Sequence, residues 1–429
     1  MKIKTKTMTY AQVMALPRPA HKRPFKPSII LQTVIRIASL PTVWGTKFRY
    51  TQKGMDKIGK DEPCLILMNH SSFTDMKIAS AIFYPRRYGV VSTFDTLMGK
   101  ELLMRFVGCF PTQKFITDMS LIKDMEHLLK KRKVSVLMYP EAGYSFDGRT
   151  TTLPRKMGIL LKKLGVPVVT VITRGAFARD PLYNGLQIRK VNVSAEVCCL
   201  ATAEEVKRKS VAELDALIDE AFSFDNFRWQ QENNVIINEP FRADGLHRIL
   251  YKCPHCGSEK NVEGKGIYWT CHDCGKQYEL TENGFMKATD GDTKFDHIPD
   301  WMDWQRSCVR TSLEEGSYLL DTEVDIAMMV DYKALYKVGS GRLVHNADGF
   351  HLTGCDGALD FSRGPVASHS LNADFFWYEI GDVICIGDQD AQYYCFPKDA
   401  GNLVTKTRLA TEELYKLHKE KAKCRTSSN

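Results

Sequence analysis

The chain has 429 residues, room for two to four domains at roughly 100–200 residues each. An apolar fraction of 44% and a charged fraction of 26% exclude wholesale disorder and low-complexity architecture. No uncharged apolar run reaches the length of a spanning helix, roughly 18 residues. The net charge of +8 is lopsided: residues 1–60 hold thirteen Lys/Arg against a single acid, Asp56. Such asymmetry suits an anionic membrane surface or nucleic acid; the plain alternative is a solvated basic tail.

Residues 1–27 are polar and basic, with Pro17, Pro19, Pro24 and Pro27, and read as a loosely attached arm. Residues 28–40 follow a helical pattern, with Leu31, Val34, Ile35 and Ala38 on one face and Gln32, Arg36 and Ser39 on the other. Pro41 is expected to end this helix. Flanked by basic residues, it can lie in a membrane interface or pack on its own domain. No small-residue cleavage site follows the first apolar stretch, so no signal peptide is expected. The thirteen cysteines, nine of them scattered, read as buried thiols in a reducing cytoplasm.

Between residues 63 and 175, apolar strand-like runs (Cys64–Met68, Val134–Tyr139, Val166–Ile172) alternate with amphipathic stretches such as Leu121–Lys130. This alternation predicts an α/β domain with a largely parallel sheet, whose chemistry gathers at the carboxyl ends of its strands. A long helix is expected over Val206–Phe222, with Ser210 and Glu213 as a capping box, and a linker over residues 231–248.

Asn69-His70-Ser71-Ser72-Phe73-Thr74-Asp75 leaves the first of these runs and enters a predicted helix over Ser72–Phe83. The turn can fold His70 back against Asp75. A carboxylate on one ring nitrogen fixes the tautomer and leaves the other nitrogen free to take a proton. The pair lacks a nucleophile of its own and suits a substrate that brings a hydroxyl. A metal ligand and a structural histidine remain the competing readings. His351/Asp356 and His369/Asp374 share the spacing but sit in turn-rich sequence, and are set aside.

Four blocks in order, NHSSFTD (69–75), GCFPTQK (108–114), YPEAGYS (139–145) and VPVVTV (166–171), resemble those of the glycerolipid acyltransferase family that includes the 1-acylglycerol-3-phosphate acyltransferases. The resemblance spans roughly residues 40–230. It implies His70 as general base oriented by Asp75, and transfer of a fatty acyl group from a thioester donor, acyl-CoA or acyl carrier protein, to a lysophospholipid hydroxyl. The default acceptor it implies is 1-acylglycerol-3-phosphate, with no cofactor needed for catalysis. It places Asn69, Lys114, Glu141 and Gly143 in the blocks that meet the acceptor, Glu141 as a group that orders neighbouring donors rather than attracts phosphate; Arg149, Arg155, Lys156 and Arg174 lie nearby in sequence as substitute cations for a phosphate. Backbone N–H groups near His70 or Gly108 would serve the oxyanion.

Two departures bear on the acceptor. Lys114 stands where the family usually has Arg, and EGTR becomes Glu141-Ala142-Gly143-Tyr144, so Tyr144 replaces an Arg expected to grip phosphate. A lysolipid without the phosphate monoester is therefore a rival acceptor. A non-catalytic membrane or protein adaptor on a degenerate acyltransferase core is a further alternative.

Cys253-Pro-His-Cys256 and Cys271-His-Asp-Cys274 enclose fourteen residues, and a Gly follows each pair. This is the spacing of a tetrahedral zinc ribbon, with the metal structural and iron the lesser alternative. Three lysines face four acids over residues 253–280, which does not suit a nucleic-acid-tracking surface.

Residues 300–429 read as short strands with a closing helix over 409–423, loosely similar to pleckstrin-homology-like barrels. The expected organisation is a basic arm (1–27), an α/β acyltransferase domain with an interfacial helix (28–235), a zinc ribbon (246–285) and a β-rich domain (300–429). The expected place is cytoplasmic, peripheral on the inner face of the cell membrane.

Overall fold

The computed structural model describes residues 3–116, 118–154, 156–398 and 402–427, with side chains as far as residue 424. Two compact units result. One holds Ala20–Leu182 and Leu186–Ile237; the other holds Met1–Pro19, Tyr183–Gly185 and Asn238–Asn429.

The first unit opens with α1 (Ile29–Gly45), capped by the Ser28 hydroxyl. The helix runs through Pro41 rather than stopping there. Pro41 is exposed, as is Ile37, whose carbonyl is the one that loses its partner to the ring nitrogen. The faces are also inverted relative to a core-packed helix. Gln32 and Ser39 are buried, and Gln32 Nε2 donates to the Tyr88 carbonyl at 3.0 Å. Ile30 (72% exposed), Ile37 (60%) and Trp44 (70%) point away from the unit.

A seven-stranded sheet follows: β1 (Arg49–Lys53), β2 (Leu65–Met68), β3 (Tyr88–Thr93), β4 (Cys109–Thr112), β5 (Ser135–Met138), β6 (Val168–Arg174) and β7 (Ser194–Ala201). Its spatial order is β1-β7-β6-β2-β5-β3-β4. Every neighbouring pair is parallel except β6–β7. The runs read as strands are β2, β5 and β6, adjacent at the centre. Their near-continuous apolar sequences fit strands covered on both faces. Leu65, Leu67, Val136 and Val168 share a core with Phe110, Leu128 and Leu161.

Helices α2 (Asp75–Phe83), α3 (Glu101–Val107) and α4 (Met157–Leu164) accompany this sheet. The expected helix over Val206–Phe222 is two helices, Ala203–Arg208 and α5 (Val211–Ala221). Ser210 and Glu213 do form the capping box. That box requires extended backbone at Ser210 (φ −68°, ψ 165°), so one helix cannot pass through it.

In the other unit, a four-stranded antiparallel sheet holds β8 (Val262–Lys265), β9 (Tyr268–Cys271), β10 (Gln277–Leu280) and β11 (Met286–Ala288) in the order β11-β10-β9-β8. The later part of the segment expected to be a linker packs on it, while residues 231–237 belong to the first unit. Ala243 and Leu246 are fully buried, and a Cβ on Gly264 would lie 2.5 Å from the Ala243 carbonyl. Helix α6 (Ile298–Glu314) shares its core: the Trp269 and Trp301 ring centroids are 4.8 Å apart, and Gln305 bonds the backbone at Lys252 and Ile249.

The remaining strands are β12 (Leu320–Met329), β13 (Leu335–Asn346), β14 (Gly349–Gly354), β15 (Leu359–Arg363), β16 (Asn372–Trp377), β17 (Gly381–Gly387) and β18 (Gln392–Pro397), closed by helix α7 (Leu403–Ser427). Their order is β15-β14-β13-β12-β18-β17-β16, antiparallel throughout. This is the strands-then-helix arrangement on which the resemblance to pleckstrin-homology-like barrels rests. The N-terminal residues are not loose here. Thr5–Thr7 pair in parallel with Leu335–Lys337, the stretch of β13 that β14 does not reach.

Candidate active site and four-cysteine centre

Because β2 and β5 are parallel neighbours, their carboxyl ends release Asn69-His70 and Tyr139-Pro140-Glu141 side by side. His70 Nδ1 lies 3.0 Å from Asp75 Oδ2, with Asp75 completely buried in the first turn of α2. The same oxygen accepts the backbone N–H groups of Ser71 (2.9 Å) and Ser72 (3.1 Å). An oxygen holding two amide protons can only accept from the imidazole, so Nδ1 carries the hydrogen and Nε2 keeps the basic lone pair. Burial lowers the His70 pKa well below its usual value, and the Lys114 charge adds to this. Burial likewise raises the Asp75 carboxyl, against the pull of its two amide donors. Each charge is costly alone, and the two relieve one another when His70 takes a proton.

Two tyrosines cover the imidazole. Tyr144 stacks on it at 3.8 Å between centroids and Tyr139 at 4.2 Å, while Phe73 stacks on Tyr144 at 5.3 Å. The residue at the family's Arg position therefore lies against the ring of the candidate base. Ala142 holds a left-handed φ of 53°, the conformation that glycine adopts without strain. Gly143 does not need that freedom, since a Cβ built there meets nothing within 4 Å.

The residues expected at the acceptor site divide. Lys114 follows β4 and acts on His70 through its charge. Glu141 is buried and braces the backbone: one oxygen accepts His70 N–H at 3.2 Å, the other Thr151 N–H at 3.0 Å. Asn69 is also a brace, donating to Ser71 Oγ and accepting from the Thr173 amide at 2.8 Å. Arg149 is held by Asp147, with Nη2 to Oδ2 at 2.8 Å. Lys156 is exposed at the start of α4, and Arg155 lies outside the described residues.

Of the amides around His70 and Gly108, those of the two residues themselves are engaged: His70 N–H by Glu141, Gly108 N–H by the Met104 and Arg105 carbonyls. Sequence reasoning missed Phe73, Tyr139 and Thr151. Phe73 lies inside the histidine block and could have been flagged there. Tyr139 opens the third block and could have been flagged in the same way; Thr151 comes to the site only through the fold. His351 and Asp356 do not pair; His351 Nε2 meets Asp360 at 2.9 Å.

The four cysteine sulfurs lie within 4.8 Å of one another, with Cys253–Cys274 at 3.8 Å and Cys256–Cys271 at 3.6 Å. A tetrahedral zinc ion with Zn–S bonds of about 2.3 Å needs sulfurs roughly 3.8 Å apart, so the set could hold such a metal. Backbone N–H groups of His255 and Cys256 point at the Cys253 sulfur, and those of Asp273 and Cys274 at the Cys271 sulfur, as turns that stabilise thiolates do.

Residues 49–174 match the family model for acyltransferases. Among solved structures, the chain is similar to the 1-acyl-sn-glycerophosphate acyltransferase PlsC from Thermotoga maritima. The identity is 17%, the TM-score 0.36, and the match covers 44% of this chain and 76% of that one.

Proposed function

Since residues 49–174 form a domain of the acyltransferase family, we propose that the protein moves a fatty acyl group from a thioester donor, acyl-CoA or acyl carrier protein, to the free hydroxyl of a lysophospholipid. The observation that carries this reading is the His70 Nδ1–Asp75 Oδ2 bond at 3.0 Å with its tautomer set by the Ser71 and Ser72 amides. Nε2 takes the hydroxyl proton as the oxygen attacks the thioester carbon. The C–S bond of the tetrahedral intermediate then breaks, and the Nε2 proton passes to the departing sulfur, giving an ester and a free thiol. Asp75 stabilises the imidazolium between the two transfers.

The acceptor is 1-acylglycerol-3-phosphate, with Lys114, whose charge acts on His70, as a partner for its phosphate. A second reading, a lysolipid without the phosphate monoester, is favoured by one observation: the position of the phosphate-gripping Arg holds Tyr144, stacked on His70, and Arg149 is neutralised by Asp147. The four cysteines hold a structural zinc ion in a ribbon. The outward face of α1, with the exposed Arg23 and Lys26 before it, rests on an anionic membrane surface, and α3 extends that face. The Ser28 amide bonds the Phe106 carbonyl and the Phe25 and Phe106 rings lie 5.2 Å apart, while Leu102 is 63% exposed. No helix among the described residues is long and apolar enough to cross a membrane.

The test is release of free thiol by wild type and His70→Ala, with lysophospholipids differing in head group presented in vesicles. Acyl transfer requires turnover by wild type and its loss in His70→Ala. Equal rates would remove the catalytic reading, and the preferred head group decides between the two acceptors.

A further inference from the structure

Ser72 stands between two buried carboxylates. Its main chain is tied to Asp75 at both ends: its N–H donates to Asp75 Oδ2 at 3.1 Å, and its carbonyl accepts the Asp75 N–H at 3.1 Å. Its hydroxyl donates to Asp180 Oδ1 at 2.5 Å. That hydroxyl also accepts the Thr74 amide at 3.0 Å and meets the Thr74 hydroxyl at 2.8 Å, which must then be the donor. The other Asp180 oxygen takes Arg179 Nη1 at 2.9 Å. Ser72, Thr74, Asp75 and Asp180 are all buried.

We propose that Asp180 is a positioning residue for the His70–Asp75 pair: by holding the Ser72 hydroxyl it fixes the turn whose amide grips Asp75, and so aims His70. The Ser72 hydroxyl has one proton and two lone pairs, and all three are used. A carboxylate at position 180 accepts from Ser72 and Arg179 at once. A protonated acid or an amide would turn a hydrogen toward Ser72 or Arg179, and the Ser72 hydroxyl would have to give up its bond to Asp180 and turn its proton to Thr74 Oγ1.

The charged groups around Asp180 agree. Burial raises its carboxyl to about 6, opposed by the Ser72 bond and the Arg179 charge, with Asp75 pushing upward and Lys77 on α2 downward. As pH falls through that value the wild type acquires the proton and comes to resemble Asp180→Asn.

The proposal rests on the acyl-transfer reading, so its test pairs kinetics with a readout that needs no turnover. Wild type, Asp180→Asn, Ser72→Ala and the double variant are compared. In Asp180→Asn, kcat falls about 10- to 100-fold with KM for donor and acceptor nearly unchanged. The double variant loses no more than the worse single variant. The ratio of wild-type to Asp180→Asn kcat closes toward one as pH drops below about 6, a comparison in which the titration of other groups cancels. In parallel, NMR of isotope-labelled histidine, assigned with His70→Gln, reports the Nδ1–H of His70. The signal is sharp in wild type and exchange-broadened in both single variants.

Wild-type kcat with an unchanged His70 spectrum in Asp180→Asn overturns the proposal, as does a loss confined to KM. If wild type turns over no thioester, the acyl-transfer reading fails while the spectra still decide whether Asp180 positions His70. If Asp180→Asn does not fold, Ser72→Ala removes the same bond with a far smaller change and decides alone.

Discussion

Asp75→Asn separates the charge of the dyad from its geometry. Asp75 Oδ2 faces three N–H donors, from His70, Ser71 and Ser72, whereas Oδ1 is buried without a hydrogen-bond partner. An asparagine must therefore keep its carbonyl oxygen at the Oδ2 position and turn its NH2 to the empty side. The His70 tautomer survives, and what is lost is the anion facing the imidazolium. With N···O at 3.0 Å and charge centres about 4 Å apart, an effective dielectric of about 20 makes that attraction about 4 kcal/mol. About a thousandfold in kcat follows. The assay is thiol release under saturating donor and lysophospholipid, with circular dichroism to verify the fold. Removing the charge also removes a burial cost. A carboxyl raised by burial contributes stability that is complete below its unfolded pKa and lost as pH rises through its folded value. Asp75→Asn should therefore match or exceed the wild-type Tm in alkaline buffer while losing activity. A kcat within about tenfold of wild type would show that the anion is not what stabilises the protonated imidazole.

Metal analysis of purified protein should give one zinc per chain, and Cys253→Ser with Cys271→Ser should abolish it and lower the Tm; folded wild type without metal would remove the ribbon. Ile37→Glu should weaken binding to phosphatidylglycerol-containing vesicles by about 2 kcal/mol, the transfer energy of one aliphatic side chain, and the Trp44 emission should shift to the blue on binding. Unchanged sedimentation and no spectral shift would detach α1 from the membrane. Tyr144→Arg should raise kcat/KM for 1-acylglycerol-3-phosphate relative to a lysolipid lacking the monoester by roughly 10- to 100-fold, the worth of a charge-assisted hydrogen bond; an unchanged ratio would place the head group elsewhere.

The parts of this molecule that the sequence revealed are those encoded locally. The apolar runs that became β2, β5 and β6 announce themselves by length and composition. His70 and Asp75 are five residues apart across a strand-to-helix turn, so one motif contains both. The role of Asn69 was not visible, because its partner Thr173 is set by strand adjacency. A polar residue in a motif reads equally well as a ligand for substrate or as a brace for backbone, and only the hydrogen-bond partners decide. Asp180 reaches Ser72 across 108 residues with no pattern to mark it. Arg149 illustrates the opposite error: Asp147, its neutralising partner, was two residues away in plain sequence.

Helix α1 shows why periodicity alone cannot orient an element. Apolar and polar residues separate onto two faces, as expected, yet it is the polar face that meets the sheet unit, through Gln32 to the Tyr88 carbonyl and Lys77 to Thr42 Oγ1 at 2.9 Å. Burying a glutamine amide is tolerable because it is bonded; leaving Ile30, Ile37 and Trp44 in water forgoes about 2 kcal/mol for each. A helix built this way gains from a second apolar phase and loses without one. A lysophospholipid acceptor resides in such a phase, and an enzyme that must reach its hydroxyl gains by resting there. Under the proposed function, the inverted helix and the exposed Phe73 beside the candidate base serve one requirement: a lipid acceptor would have to reach His70 while its acyl chain stays out of water.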